Sequence, residues 1–165
     1  MKIIKPDFEI WNQEEGLEGV YKQIERAGRV CYKSEDKITE DSAKEFVERM
    51  IKSGHGAMLE HGTVYLKVPN NVVDKGFQFG TNWSTLCLNP YTRYNSDGEY
   101  YYYTTNYRVI IEHDLQGVIN YLCEPTDKHE KRVCVRFICD RGVSHEFVRH
   151  RVMSFAQEST RQWRH

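Results

Sequence analysis

Apolar side chains recur every three or four positions in two segments of the N-terminal half. Residues 13–28 carry Leu17, Val20, Tyr21, Ile24 and Ala27 at this spacing, and residues 41–53 carry Ala43, Phe46, Val47, Met50 and Ile51. Side chains at this spacing share one face of a helix, so both segments are predicted to be amphipathic helices. Thr39 or Asp41 is placed to cap the start of the second helix, and Gly54 to end it.

Alternation of apolar and polar positions predicts strands later in the chain. Residues 63–68 alternate in this way and stop at Pro69, which predicts a half-buried strand. Residues 133–138 alternate again and predict another strand. Two runs rich in tyrosine and threonine, 91–94 and 100–105, flank a turn signal and predict a hairpin.

Four consecutive tyrosines, Tyr100–Tyr103, lie in the second of these runs. They could form a base-stacking platform, but successive residues of a strand face opposite sides. We therefore interpret the run as a two-sided ribbon packed against the rest of the protein. A short helix capped by Asp114 and ended by Pro125 is predicted next. Together these elements predict an α+β fold, with an antiparallel sheet packed against helices in a single domain over 1–165.

The composition is that of an ordinary globular protein. The 165 residues are 39% hydrophobic and 28% charged, which excludes a disordered or fibrous chain. No run of 18 apolar residues occurs, and the N-terminus lacks the apolar core of a signal peptide. No membrane span is therefore expected, and the predicted location is the cytoplasm. Five cysteines without a C-x-x-C pair indicate reduced thiols rather than a zinc ribbon.

Positive charge is concentrated near the C-terminal end. The net charge of the chain is −1, yet residues 141–165 hold five arginines against Glu146 and Glu158. A local cationic patch on a mildly acidic protein indicates a small anionic ligand, because nucleic-acid-binding proteins carry larger basic surfaces.

Residues 144–152 are predicted to form a helix within this patch. At about 100° per residue, Arg151 falls inside the apolar sector, and Arg149 and His150 fall on the opposite side. Two interpretations are open. Arg151 could pair with a core carboxylate while the other two side chains are solvated, or the diverging arginines could contact two different groups of a ligand.

A polar stretch follows this segment. Ser159, Thr160 and Arg161 can together supply hydroxyl, backbone N–H and bidentate guanidinium donors, which suits a phosphate. Ser159 could also be a nucleophile, but the sequence pairs no histidine base with it. The string from Arg149 to Arg161, R-H-R-x-x-S-x-x-x-x-S-x-R, resembles the signature of the flavin-dependent thymidylate synthases, with all six fixed positions matched.

Two upstream segments resemble the same family. Residues 54–61 match its G-H-x-x-x-x-E-H segment, and Arg29–Tyr32 are similar to its R-V-S-[FY] stretch, with Cys31 in place of serine. Without the family, the two histidines and the glutamate of the first segment could be metal ligands. Their spacing is not that of the helical H-E-x-x-H of zinc hydrolases, so no metal is expected.

The resemblance implies an enzyme that converts dUMP to dTMP with 5,10-methylenetetrahydrofolate as the carbon donor. FAD, reduced by NADPH, would supply the hydride. Family members are homotetramers with active sites built from several subunits, so dUMP and further copies of the chain are the expected partners, without nucleic acid or membrane. Relatives continue past the motif to the arginine that polarises the uracil. The chain, which stops at His165, is therefore expected to lack the C-terminal part of the domain.

The resemblance also implies roles for particular residues. FAD would be contacted by Glu60, Arg149, His150 and Arg151. The dUMP cradle would consist of Glu146, Arg149, Gln157, Glu158, Ser159, Thr160 and Arg161, with the last serine and arginine on the phosphate. Besides Cys31, three positions depart from the pattern: Ala57 stands where many relatives have a hydroxyl, Glu146 where many have glutamine, and Gln162 where many have tyrosine.

Two other functions fit the same residues. The chain could be a nucleotide- or nucleic-acid-binding module, or an inactive remnant of the family, that keeps the motif without turnover. It could also be a structural subunit that completes the sites of a longer paralogue. A flavin absorbance band in the purified protein would favour the enzyme.

Overall fold

The computed structural model describes residues 5–73, 83–150 and 153–159 of the chain. The strands are β1 Asp7–Trp11, β2 Thr63–Pro69, β3 Arg93–Ser96, β4 Tyr100–Asn106 and β5 Cys134–Ile138. The α-helices are α1 Gly16–Tyr32, α2 Ser42–Lys52, α3 Gly56–Leu59, α4 Asn70–Val73, α5 Trp83–Leu88, α6 Tyr107–Glu112 and α7 Arg141–Phe147. Short 3-10 helices lie at Glu35–Lys37 and Gln116–Tyr121.

β4 is the central strand of an antiparallel sheet, with β2 on one side and β3 on the other. The rings of Tyr101 and Tyr103 stack 5.9 Å apart, whereas Tyr100 and Tyr102 are neighbours on the opposite face. Tyr102 and Tyr103 are buried. The predicted hairpin and its two-sided character are confirmed, with the first strand two residues later than expected.

β1 and β5 pair antiparallel in a separate two-stranded sheet, which we call the β1–β5 ribbon. Trp11 stands opposite Cys134 in its register, and Phe8 stands opposite Phe137. The buried Trp11 ring lies 4.0 Å below the guanidinium of Arg26 on α1, so the ribbon is held against that helix. β5 confirms the predicted strand to within one residue, whereas β1 was not predicted.

Both predicted N-terminal helices are present, but their ends differ from the prediction. α1 begins and ends later than the predicted range 13–28. α2 lies within one residue of its predicted bounds and is followed by Gly54 at φ +71°. Asp41 occupies the predicted N-cap position, but its side chain makes no capping hydrogen bond. The Ser42 hydroxyl instead accepts a hydrogen bond from the backbone N–H of Thr39 at 2.8 Å.

The hydrophobic core lies between α1, α2 and the three-stranded sheet. It is formed by buried side chains that include Val20, Ile24, Phe46, Val47, Val64, Leu66, Tyr103 and Ile110. The approach of α1 to α2 is close at Gly28, where a Cβ would come within 2.5 Å of the Phe46 ring. The two helices therefore form a rigid base from which the end of α1 and the start of α3 project.

The predicted helix after Asp114 is instead the 3-10 helix Gln116–Tyr121. Asp114 has φ +54°, in the left-handed region, so its backbone is unsuited to a helix N-cap, and the capping prediction is wrong. The helices and antiparallel sheets confirm the α+β class in a single domain. No helix in the described part of the chain is long and apolar enough to cross a membrane.

Candidate functional site

The polar stretch that follows the R-H-R motif is irregular over residues 153–159, which we call the motif segment. In the fold, this segment extends from a contact with Glu60, at the end of α3, to a contact with the last turn of α1. Ser159 donates its backbone N–H to the carbonyl of Cys31 at 3.0 Å. Near it, Glu158 forms an ion pair with Lys33 at 2.6 Å. Residues far apart in sequence thus hold the segment at both of its ends.

Glu60 lies where the motif segment meets the body of the domain. Its carboxylate accepts one hydrogen bond from Ser154 Oγ and another from Arg108 Nη1, both at 2.6 Å. Arg108, on α6, also donates from Nε to Glu112 at 2.7 Å, and the hydrogen bonds to Glu112 and Glu60 raise the pKa of its guanidinium. Both oxygens of Glu60 are therefore occupied, and the positive charge of Arg108 is shared between Glu60 and Glu112.

The other two segments that resemble the family, residues 54–61 and Arg29–Tyr32, also lie side by side. The Tyr32 hydroxyl, in the last turn of α1, shares a 2.9 Å hydrogen bond with Nδ1 of His55, and the two rings stack at 6.1 Å. Burial raises the pKa of the Cys31 thiol beside them, although the backbone of Gln157 opposes that rise. The end of α1 therefore contacts both the segment around α3 and the motif segment.

Arg29, at the start of the R-V-C-Y stretch, has a different place. It is buried in α1 and donates from Nε and Nη2 to Oε1 of Glu25, at 3.0 and 2.9 Å. The Ser42 hydroxyl of α2 donates to the other oxygen of Glu25 at 2.9 Å. Arg29 is thus part of the contact between α1 and α2, and it supports the site without facing it.

The predicted helix over 144–152 is corrected by the structure. α7 begins earlier, because Asp140 accepts hydrogen bonds from the backbone N–H groups of Gly142 and Val143 at 2.7 and 3.1 Å. It ends at Phe147, where the backbone tightens into a turn that includes Arg149. Arg149 and His150 therefore lie beyond the helix, and the expected helical spacing does not apply to them.

Arg149 and His150 are exposed at the surface next to α7. Arg149 makes an ion pair with Glu146, one helical turn earlier, at 3.2 Å. The imidazole of His150 makes no hydrogen bond with the described residues and lines a shallow hollow with Phe147. Gln157 donates its side-chain amide to the Ser144 hydroxyl of α7 at 2.8 Å, which connects the motif segment to this surface.

The structure therefore brings together part of the predicted set. Glu60 and Ser159 lie at opposite ends of the motif segment, with Gln157 and Glu158 between them. Glu146, Arg149 and His150 are grouped at the end of α7. Arg151, Thr160 and Arg161 lie outside the described residues. The binding roles of all these residues stay predictions.

Four residues of this region were not predicted from the sequence. Arg108 and Glu112 form the ion pairs behind Glu60, and their spacing of four on a helix is the signal that could have revealed them. Lys33 and Ser144 hold Glu158 and Gln157, and no local pattern marks either of them. The described residues include no group of three or more histidine, cysteine or acidic side chains placed to hold a metal ion.

The arrangement is suited to binding an anion. Near the motif segment, Glu146 and Glu158 are each paired with a cation and Glu60 shares Arg108 with Glu112, which reduces their repulsion of a phosphate. His150 and the solvent-exposed side of the Arg149 guanidinium, beyond its ion pair with Glu146, can donate to phosphate oxygens.

Comparison of the chain with models of protein families, with curated proteins and with solved structures gave no match.

Proposed function

We propose that this protein is a flavin-dependent thymidylate synthase. It would methylate dUMP reductively to dTMP, with 5,10-methylenetetrahydrofolate as the carbon donor and FAD reduced by NADPH as the source of hydride. The observation that carries the proposal is the meeting of three segments that resemble the family at separate places in the sequence. Ser154 bonds Glu60, Tyr32 bonds His55, and Ser159 bonds Cys31.

The resemblance of each segment to the family does not by itself require the three segments to be in contact. The Ser154–Glu60 pair joins residues 94 positions apart, and the Tyr32–His55 pair joins residues 23 positions apart. Segments that serve one ligand must lie together in the fold, whereas segments that match a signature by coincidence have no reason to do so. Their proximity therefore supports a common site.

The charges present fit the two anionic molecules. Arg149 and His150 are exposed side chains that would donate hydrogen bonds to the phosphates of FAD. Arg149 also lies beside Glu146 of α7, where it would border dUMP. The Gln157 amide donates one N–H to Ser144 and would have its second N–H for dUMP. When bound, the flavin supplies a redox reaction that protein side chains cannot perform.

The protein's own contribution would be orientation and charge. Carbon 5 of the uracil becomes nucleophilic when positive charge stabilises the enolate-like form of the ring, and fixed cations do this best where water is excluded. The five cysteines are free thiols, and this reaction needs none of them as a nucleophile. We further propose the fold type of this family, a homotetramer with shared active sites, and a cytoplasmic location.

The proposal is tested by two measurements on the purified chain supplied with FAD. Visible flavin absorbance is recorded after gel filtration, and tritium release is followed from dUMP labelled at carbon 5, with NADPH and 5,10-methylenetetrahydrofolate present. We expect the 165-residue chain to bind FAD weakly and to release tritium slowly or not at all, and we expect a family-like C-terminal extension to give a flavin band and dUMP-dependent release. Arg149→Ala should weaken flavin binding about tenfold or more, because charge-assisted contacts to phosphate are strong. Arg93→Ala, at another exposed arginine, is the matched control.

Each outcome has a defined meaning. An extended chain that neither retains flavin nor releases tritium contradicts the proposal. Binding of flavin or dUMP by the extended chain without tritium release favours the alternative, a nucleotide-binding module without turnover. Equal effects of the Arg149 and Arg93 substitutions would remove Arg149 from the flavin site.

A further inference from the structure

The two faces of the β1–β5 ribbon differ in character. Successive residues of a strand point to opposite sides, and residues opposite each other in the register point to the same side. Glu9 points toward the domain and forms an ion pair with Arg26 of α1 at 3.0 Å. Arg136, opposite Glu9 in the register, points the same way and forms an ion pair with Glu35 at 3.3 Å. The charged side chains at the centre of the ribbon therefore lie on the face that covers the domain.

The opposite face of the ribbon is apolar, and we call it the outer face. It consists of Phe8, Ile10, Val135 and Phe137. Phe8 is 63% exposed, Ile10 is 55% exposed and Phe137 is 53% exposed. Antiparallel strands with one face in water commonly carry polar residues on that face and apolar residues on the inner one. The ribbon has the reverse arrangement, which indicates that its outer face is covered when the protein is assembled.

The apolar surface continues beyond the two strands. The ring of Phe147 on α7 stacks on Phe137, with the ring centres 5.2 Å apart. Val143 lies beside Phe147 and is 42% exposed, and Val133, which precedes β5, is 66% exposed. Because a whole aromatic side chain presents about 150–250 Å², these exposed fractions amount to an apolar patch of about 500 Å². Patches of this size are often interaction sites.

The size of the patch is what each half of a stable dimer requires. A standard protein–protein interface buries about 800 Å² on each partner. Roughly 60% of such an area is apolar, so each partner supplies about 500 Å² of apolar surface. The net charge of the chain is −1, so two copies repel each other only weakly.

The outer face is also complementary in shape to a copy of itself. Phe8 stands opposite Phe137 at one end of the face. Ile10 stands opposite Val135 at the other end. When a two-fold axis crosses the strands at a right angle, the aromatic end of one copy meets the aliphatic end of the other, and large side chains pack against smaller ones. An axis along the strands would instead crowd four aromatic rings together and leave a gap between the aliphatic ends.

We propose that the outer face of the ribbon binds the outer face of a second copy of this chain, with β1 of the two copies antiparallel. Phe8 of each copy then faces Ile10 of the other. Phe137 faces Val135 in the same way. The homotetramer proposed above leaves open which surfaces meet, and the outer face supplies one of them. Association through this face does not depend on thymidylate synthase activity, so the two proposals are tested separately.

The experiment measures the mass of the 165-residue chain by gel filtration with light scattering over a range of concentrations. We expect a dimer or a larger even-numbered assembly, with a dissociation constant of about a micromolar or below. Ile10→Lys places an unpaired charge inside the interface and should weaken association about a hundredfold or more. Leu88→Lys, at a side chain on α5 that is 84% exposed, is the matched control and should leave the mass unchanged. Circular dichroism checks that each variant is folded.

A pair of variants tests the orientation of the two copies. Phe8→Lys and Ile10→Glu should each be monomeric at concentrations where the wild-type chain is associated. An equimolar mixture of the two variants should associate about tenfold more tightly than either variant alone. The reason is that the introduced lysine of one chain then faces the introduced glutamate of the other.

Several results would overturn the proposal. A wild-type chain that stays monomeric at the highest concentration measured would mean that something other than a second copy covers the outer face. Equal effects of Ile10→Lys and Leu88→Lys would place the contact on another surface. A mixture that associates no more tightly than its components would contradict the antiparallel packing. If Ile10→Lys fails to fold, the wild-type mass and Phe8→Lys still decide the question.

Discussion

Breaking the buried pair of Glu25 and Arg29 should be one of the most destabilising single changes at the contact between α1 and α2. Glu25 is 1% exposed and Arg29 is 8% exposed, and two N–H groups of the arginine converge on one carboxylate oxygen. The other oxygen accepts from Ser42 of α2. The guanidinium also lies 4.9 Å from the centre of the Phe46 ring. The Arg29 contacts lie within α1, whereas the Ser42 contact joins Glu25 to α2.

The informative change is Glu25→Gln, which keeps the size of the side chain and removes its charge. Arg29 is then left as a buried cation without a counter-charge, a loss that costs about 3–5 kcal/mol of unfolding free energy. The total free energy of unfolding of a domain of this size is roughly 5–15 kcal/mol, so the variant should lose a large share of its stability. Replacing both residues, as Glu25→Leu with Arg29→Met, removes the unpaired charge and should recover most of that loss.

Urea unfolding followed by circular dichroism measures these free energies. Lys22→Gln is the matched control, because Lys22 pairs with Glu14 at the exposed surface of α1, where an ion pair contributes at most about 1 kcal/mol. A Glu25→Gln effect as small as that of the control would refute the reasoning. A double variant less stable than the single one would show that the pair itself is strongly stabilising.

Three further predictions concern other buried groups. Burial lowers the pKa of His61 and His129 below 6.5, so the unfolded chain binds more protons below pH 6.5. The unfolding free energy should therefore decline as the pH falls through this range in urea titrations, and His61→Gln should weaken the slope. Gly28→Ala should cost about 1–3 kcal/mol by crowding Phe46, and an unchanged melting temperature would contradict this. Burial raises the pKa of Cys134, so iodoacetamide should label it slowly until urea unfolds the chain, as mass spectrometry can show.

Elements with a strong local pattern could be predicted from the sequence. α2 has a complete apolar stripe ending before a glycine with positive φ, and its predicted bounds differ from the observed ones by one residue. The alternation at 63–68 likewise predicts β2, because one face of that strand is buried. The paired tyrosine runs predict the hairpin because its turn lies between them and the flanking strands pair directly.

Elements that depend on distant partners could not be predicted in this way. β1 has only five residues, most of them exposed, and it becomes a strand because β5 pairs with it from the far end of the chain. The same holds for the candidate site. The signature identifies Glu60 and Ser154 as separate positions, but nothing local shows that Arg108 stands behind Glu60 or that Lys33 holds Glu158.

The β1–β5 ribbon has a consequence for the order of folding. Its pairing joins residue 11 to residue 134, so forming it requires most of the chain to close into one loop. Loop closure on this scale is slow and entropically costly, whereas α1 and α2 follow each other closely in the chain and the two strands of the tyrosine hairpin are joined by a short turn. The ribbon should therefore form late and detach first during partial unfolding, while the helical base and the central sheet stay intact. Any molecule that contacts both strands of the ribbon would therefore bind only the fully folded protein and would stabilise the last step of folding.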